Sequence, residues 1–363
     1  MASSEKKRLR GSNVVIRSKT FRESYYEDIK LFQTVWIRVW IFLFLILLAT
    51  LPLWGNPYVI YLINLSCIAV VAALGLNLLI GYTGQISLAH AAFIAIGAYT
   101  TAILSSKVGL PFWACLFASG GVAAAIGFGL GIPCLRLKGL YLAMATMSFG
   151  VVLENVLITW DKLTGGVRGI NVAKISLFGY PLDSDSKIYY FLLVITVLVI
   201  LGIKNLVRTR VGRAFIAIRD RDIAAEVMGV NITAYKVMAF TISSFVAGIA
   251  GGMYGYTMGY IHPEHFTLLL SIQYLAMIIV GGLGTILGSI FGAVFIILVP
   301  ELIKGIARFS ELLIPALKGK YNEEWNIAAF GLLIMIFLIF EAGGLHGIWG
   351  RIKTSFKNWP YTY

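Results

Sequence analysis

Long apolar runs separated by short polar, basic or glycine-bearing segments set the pattern of this chain. Ten runs predict helices, at approximately 37–54, 58–80, 86–106, 112–133, 140–160, 188–203, 237–260, 267–282, 285–303 and 325–342. Most are close to the ~20 residues that carry an α-helix across a bilayer core. In lipid, a spanning segment must satisfy its own backbone groups, so runs of this length read as helices. The run at 86–106 reads as a full span or as partly re-entrant, because Gly81 and Gly84 precede it and Gln85, Ser87 and His90 lie at its start. The pair at 267–303 reads as one bent hairpin or two short helices. Two connections are too long to be turns: 161–187, with Thr164-Gly165-Gly166 and Gly169, and the arginine-rich 204–236.

Composition agrees with that pattern. Of 363 residues, 59% are hydrophobic and 13% charged, against about 25% charged in a soluble domain. A soluble enzyme, a disordered chain and a disulfide-stapled module are therefore excluded. The expected class is an all-α integral membrane protein of about ten transmembrane helices. The net charge of +13 would suggest nucleic acid in a soluble protein. Here the basic residues cluster between apolar runs, as membrane orientation requires, and no nucleic-acid partner is read from them. With the N-terminus in the cytosol, the basic segments fall on one side: 1–36, Arg136 and Lys138, 204–236 and the tail. This predicts a basic cytoplasmic extension (1–36), a transmembrane domain (37–342) with a cytoplasmic loop at 204–236, and a cytoplasmic tail (343–363). The polar N-terminal stretch is far longer than the charged region of a cleavable signal, so the first span is expected to be retained. Cys67, Cys115 and Cys134 are far apart in apolar surroundings and read as small buried hydrophobes.

Glycines mark where helices pack. Gly248 and Gly252 form one series four residues apart, Gly251, Gly255 and Gly259 a second, and Gly284, Gly288 and Gly292 a third. Residues so spaced share a helix face, and small residues there let backbones approach in lipid. The series read as plain packing in preference to a moving interface. Gly81-Tyr82-Thr83-Gly84-Gln85-Ile86 echoes Gly281-Gly282-Leu283-Gly284-Thr285-Ile286. Transporters are often built from repeats with unwound pieces near the substrate path, although chance accounts for six residues equally well.

The inner loop carries the most specific signal. Asp222 is expected to cap a short helix by accepting freed N–H groups of its first turn. Gly229 is expected to end it in the left-handed conformation, and Asn231 or Thr233 to cap the next span. Ala224, Ala225 and Glu226 lie between. A helix so short is unstable alone in water, which suits a projection docked on a partner better than an ordinary basic loop.

Other chemistry is sparse. No G-x-x-x-x-G-K-[S/T] loop is present, so ATP-driven work would come from another subunit. Glu154 is the single acid deep in an expected span, which argues against ion coupling by this chain. It reads as a path-lining carboxylate or, preferably, a structural group snorkelling near the outer end beside Trp160 and Asp161. His262-Pro263-Glu264-His265 lacks the spacing of a metalloprotease motif and reads as a solvated turn. No nucleophile–base arrangement stands out, and neither a metal nor a cofactor is expected.

Several stretches together are recognisable. Leu76-Asn77-Leu78-Leu79-Ile80-Gly81-Tyr82-Thr83-Gly84-Gln85-Ile86-Ser87-Leu88-Ala89-His90-Ala91-Ala92-Phe93, followed by Gly97-Ala98-Tyr99, resembles the LivM type of branched-chain amino acid ABC permease. So do Leu135-Arg136-Leu137-Lys138-Gly139-Leu140-Tyr141-Leu142-Ala143, Leu163-Thr164-Gly165-Gly166, the Gly212–Gly229 stretch and Gly281-Gly282-Leu283-Gly284. The resemblance covers about residues 58–342. It implies the type II ABC importer permease fold, with ten helices, in a bacterial inner membrane. The implied partners are a second, LivH-like permease, two cytosolic ATP-binding subunits and a periplasmic substrate-binding protein. Arg213, Asp222, Ala224, Ala225, Glu226 and Gly229 become the candidate ATPase-coupling residues, although Ala-Ala-Glu departs from the usual Glu-Ala-Ala order. Gln85, Ser87, His90 and Glu154 become candidates for the translocation path. The alternatives are a urea or short-chain amide ABC permease and, further off, a stand-alone secondary transporter.

Overall fold

The computed structural model describes residues 35–134, 137, 139–173, 176–177, 180–181, 184–313, 331–332, 334–335, 337, 339 and 343–358. They fall into two units, one ending at Leu48 and the other running from Ala49. Helix α1 (Val35–Trp54) covers the first expected run. Arg136, Lys138 and most of the basic extension lie outside the described residues.

In the second unit the apolar runs form α2 (Pro57–Thr83), α3 (His90–Ile103), α4 (Phe112–Cys134), α5 (Leu140–Thr159) and α6 (Asp185–Arg208). Two shorter helices follow, α7 (Arg210–Asp220) and α8 (Asp222–Val227). Beyond them come α9 (Ile232–Met258), α10 (Leu268–Gly281), α11 (Ile286–Leu313) and α12 (Gly344–Asn358). Among the described residues, eight helices are long and apolar enough to cross a membrane. The expected run at 325–342 lies mostly outside the described residues. Those of its residues that are described are helical, and the Phe337 ring centroid lies 5.9 Å from that of Phe295.

Helix α3 starts only at His90. Gly84 ends α2 in the left-handed conformation, φ 70°, with its N–H on the Ile80 carbonyl and the Gln85 N–H on that of Leu79. Residues 85–89 then run without helix. The region between α10 and α11 is likewise a break, and the expected pair at 267–303 is two helices joined by a tight glycine turn.

The core is built around α9, which packs most extensively on α4, α3 and α2. Ala72 and Leu76 of α2, Ala98 and Ala102 of α3, and Ala247, Ala250 and Met253 of α9 are fully enclosed. Lipid removes the hydrophobic drive between helices, so close backbone approach has to supply the packing. A Cβ on Gly97 would stand 2.6 Å from the Gly248 Cα, and one on Gly251 would stand 2.8 Å from the Ala98 nitrogen. One on Gly252 would meet Ser119 Oγ and Thr101 Oγ1 at 2.9 Å. The hydroxyl of Ser243 donates to the Gly75 carbonyl across the same contact, at 2.7 Å. Gly281 and Gly292 meet similarly, a Cβ on Gly292 standing 2.8 Å from the Gly281 Cα. Two expected members of the glycine series do other work. Gly259 caps α9 at φ 68° with open space around it, and Gly284 sits in the turn before α11 at φ 72°.

Contacts sort the loops of this unit to two ends. At one, Lys107 Nζ donates to the carbonyls of Lys162 and Leu163, at 3.0 and 3.1 Å. There β1 (Ile170–Asn171) pairs antiparallel with β4 (Tyr260–Ile261), and Tyr260 donates its hydroxyl proton to the Arg168 carbonyl. A second two-stranded piece, β2 (Ser176–Leu177) with β3 (Tyr180–Pro181), lies in the same long loop. At the opposite end, the break at 84–89, α7, the 282–285 turn and the start of α12 come together.

Candidate functional site

The 204–236 loop is more ordered than a basic linker. α7 is amphipathic: Gly212, Ala214, Phe215 and Ile218 are buried, whereas Arg213, Arg219 and Asp220 are exposed. Such a stripe fixes one face of a helix against its neighbours. Phe215 is fully enclosed in a cluster with Leu78, Leu79 and Tyr82 of α2 and Ala239 and Phe240 of α9. α7 is thus anchored to the spans, and α8 projects from it.

One extended residue, Arg221 (φ −158°, ψ 106°), separates the two helices and occupies the N-cap position of α8. The expectation that Asp222 is the cap is corrected. Asp222 is already the first helical residue, because α7 runs on to Asp220 and leaves only Arg221 for the break. Its Oδ1 accepts from the Ile223 N–H at 2.9 Å, and its Oδ2 lies 3.9 Å from Lys236 Nζ. A carboxylate there still favours the helix, being close to the positive end of its dipole.

The other end of α8 forms as expected. Gly229 has φ 84°, its N–H bonds the Glu226 carbonyl at 2.9 Å, and the Val230 N–H bonds the Ala225 carbonyl at 3.0 Å. This pair of bonds is the Schellman closure, which places glycine in the left-handed position. Of the two residues considered for the next cap, Asn231 holds it, its Oδ1 accepting from the Ala234 N–H at 3.0 Å. Ala225 is buried against the base, and Ala224 and Glu226 are exposed. Ile223 and Val227 of α8 and Met228 at its C-cap are 71%, 84% and 85% exposed, a concentration of apolar side chains on a short projection. Beside them is an open groove of about 510 Å³ lined by Arg210, Arg213, Asp220, Arg221, Met228 and Tyr235, among others.

At the base of this projection lies a polar cluster that sequence reasoning missed. Arg219 Nη1 donates to the Gly81 carbonyl at 3.0 Å, while its Nε and Nη2 donate to Asp220 Oδ1 at 3.1 and 3.0 Å. One turn before Gly81, Asn77 accepts from the Gly284 N–H at 2.9 Å. It donates to the Thr285 carbonyl at 2.9 Å and to Ser289 Oγ at 2.7 Å. The two echoing glycine motifs therefore meet in space, and Gly84 and Gly284 share the left-handed conformation. A cation at a helix C-terminus is favoured by the dipole, by about 0.3–1 kcal/mol at an exposed site. Asn77 carried a usable signal, an amide inside an otherwise apolar run. Arg219 carried none beyond its place in an alternating charge run.

Gln85, Ser87 and His90 are brought together on the break between α2 and α3, all buried. Gln85 Nε2 donates to Thr83 Oγ1 at 3.1 Å and reaches the Lys236 carbonyl at 3.5 Å. Ser87 Oγ accepts from the Ala89 N–H at 3.4 Å. His90 Nε2 lies 2.8 Å from the Ala72 carbonyl, and its ring stands edge-on to Tyr274 at 5.6 Å. Nearby free backbone groups are held by hydroxyls: the Leu88 N–H by Thr146 and the Ala91 N–H by Ser271. Glu154 stands apart, half-buried on α5, and no described hydrogen bond or ion pair joins it to the other three. All three cysteines are free and buried. Among the described residues, no group of three or more His, Cys, Asp or Glu side chains is arranged to hold a metal.

Among the described residues, eight helices long and apolar enough to cross a membrane, packed through glycines and interrupted by glycine breaks, define a multi-pass membrane protein. The family of permease components of branched-chain amino acid transport systems matches residues 58–339, and the chain belongs to that family. It is 33% identical to the high-affinity branched-chain amino acid transport system permease protein LivM of Escherichia coli, over 78% of this chain and 73% of that protein. LivM of Salmonella typhimurium matches equally, at 33% over the same shares. LivH of E. coli is 26% identical over 75% of this chain and 89% of its own length. No solved structure matches the chain.

Proposed function

We propose that this chain is the membrane gate of an ABC importer for branched-chain amino acids, driven by separate cytosolic ATPase subunits that dock on α8. The observation that carries this reading is the α7–α8 projection, an apolar-tipped helix closed at its C-terminal end by Gly229 and rooted by Phe215 and Arg219 in the ends of the spans. Ile223, Ala224, Val227 and Met228 supply the docking surface, and Arg213, Asp222, Ala225, Glu226 and Gly229 hold or flank it. ATP binding draws the ATPase subunits together, displaces α8 and rocks the glycine-packed spans between outward-open and inward-open states.

The gate forms between this chain and a second permease, LivH-like or a further copy; both LivM and LivH are relatives. A periplasmic binding protein delivers substrate at the end carrying the 161–173 segment. The protein lies in the inner membrane with α7, α8 and both termini in the cytosol, the orientation that places the arginine-rich loop inside. Gln85, Ser87 and His90 contribute to the path by shaping the break between α2 and α3. An amino acid zwitterion is neutral overall, which suits a path with few charges. Proteoliposomes holding both permeases, with and without the ATPase subunits, test the reading. Leucine uptake should require ATP, the ATPase subunits and loaded binding protein. Uptake by this chain alone on an ion gradient would contradict it, and preferential uptake of urea would overturn the substrate class.

A further inference from the structure

The geometry points to Arg219 as the positioning residue that carries displacement of the α7–α8 projection into two membrane segments at once, an inference that rests on the coupling role proposed for α8. Arg219 is the penultimate residue of α7, and the single extended residue Arg221 separates that helix from α8. Movement of α8 therefore pivots next to this guanidinium.

The guanidinium is used on both edges. Nε and Nη2 hold Asp220 Oδ1, which fixes the plane of the group, and Nη1 is left to reach Gly81. The Gly81 carbonyl is available because α2 closes around it: Gly84 N–H takes Ile80, and Gln85 N–H takes Leu79 in place of Gly81. An unpaired carbonyl in the last turn of a helix needs an outside donor, and Arg219 supplies one. From Gly81 the connection continues on the same helix face to Asn77, four residues back, and through its amide to Gly284, Thr285 and Ser289. α7, the end of α2 and the α10–α11 turn with the start of α11 are thereby joined through six hydrogen bonds that span distant parts of the sequence or fix the guanidinium.

The echoing glycines explain why the arginine fits. A Cβ on Gly84 would stand 3.3 Å from Arg219 Cγ, and one on Gly284 would stand 2.8 Å from its Nη1. The side chain lies in a slot that these two residues leave open. Lysine carries the charge on a single nitrogen and cannot make both contacts in a fixed plane, and glutamine loses the charge altogether.

The complete importer in proteoliposomes tests this with Arg219→Gln and Arg219→Lys. In Arg219→Gln the ATPase subunits should still co-purify, while the stimulation of ATP hydrolysis by loaded binding protein falls about tenfold, the loss expected for one charge-assisted hydrogen bond. Arg219→Lys should fall between that variant and the wild type. Should Arg219→Gln not assemble, Asn77→Ser cuts the same connection further along and must show the same loss of stimulation with the subunits still bound. Wild-type stimulation in an assembled Arg219→Gln or Asn77→Ser complex overturns the proposal. Ala224→Trp separates this from failure of the coupling reading. It should abolish co-purification if α8 is the docking helix; intact co-purification and stimulation would remove the docking role and the role of Arg219 with it. A defective Ala224→Trp beside a normal Arg219→Gln removes only the latter.

Discussion

Gly229 holds φ 84° at the end of α8, and both closing hydrogen bonds depend on it. A β-branched side chain resists that conformation, at a cost of about 1–2 kcal/mol. Gly229→Val should leave the spans assembled and lower substrate-stimulated ATP hydrolysis in the reconstituted importer. Asn231 is a different case. Its side chain caps α9, so Asn231→Ala should cost about 1 kcal/mol, seen as a lower Tm in detergent with little change in transport. Glu154 is half-buried on α5 and has no described partner in the buried break. Glu154→Gln should leave uptake largely intact, and complete loss of uptake would make it a path residue. The caps were legible because their signals are local: a glycine after a short helical stretch, an asparagine before a long one. Asp222 fell one position away because no local signal marks that α7 runs as far as Asp220. Arg219 was not legible, since its partner lies 138 residues away; Asn77 stood out as an amide in an apolar run, but its partner 208 residues away did not.

Glycine placement decides packing at the level of the helices. Gly251 faces the backbone of α3, and a Cβ there would stand 2.8 Å from the Ala98 nitrogen. Gly121 of α4 faces open space. Gly251→Leu should therefore cost about 1–3 kcal/mol or more through overpacking, lowering the yield of monodisperse protein, whereas Gly121→Leu should be tolerated. Size-exclusion profiles of the two variants check this. The helices themselves were readable as apolar runs, and α2 to α6 and α9 to α11 stand where those runs lie. Ends were less readable: α6 continues to Arg208 and α9 begins at Ile232, so both extend through polar residues that the apolar runs exclude. Two glycines of the expected series, Gly259 and Gly284, form a cap and a turn, because four-residue spacing does not tell where a helix stops.

Across the described residues, the apolar runs and the helices agree on a multi-pass membrane protein, and the structure adds that the basic loop and the glycine breaks share one end. What sequence could not show is that the echoing motifs, 200 positions apart in the numbering, meet each other and the base of the projection. Their contact joins the place where energy is proposed to enter with the ends of the spans that must move. The most direct measurement is the exposure of α8 itself. In a cysteine-free background carrying Ala224→Cys, a membrane-impermeant maleimide should label inverted membrane vesicles and not intact spheroplasts, and bound ATPase subunits should block the reaction. Labelling from the periplasmic side, or labelling that the ATPase subunits leave unchanged, would contradict a gate driven through this helix.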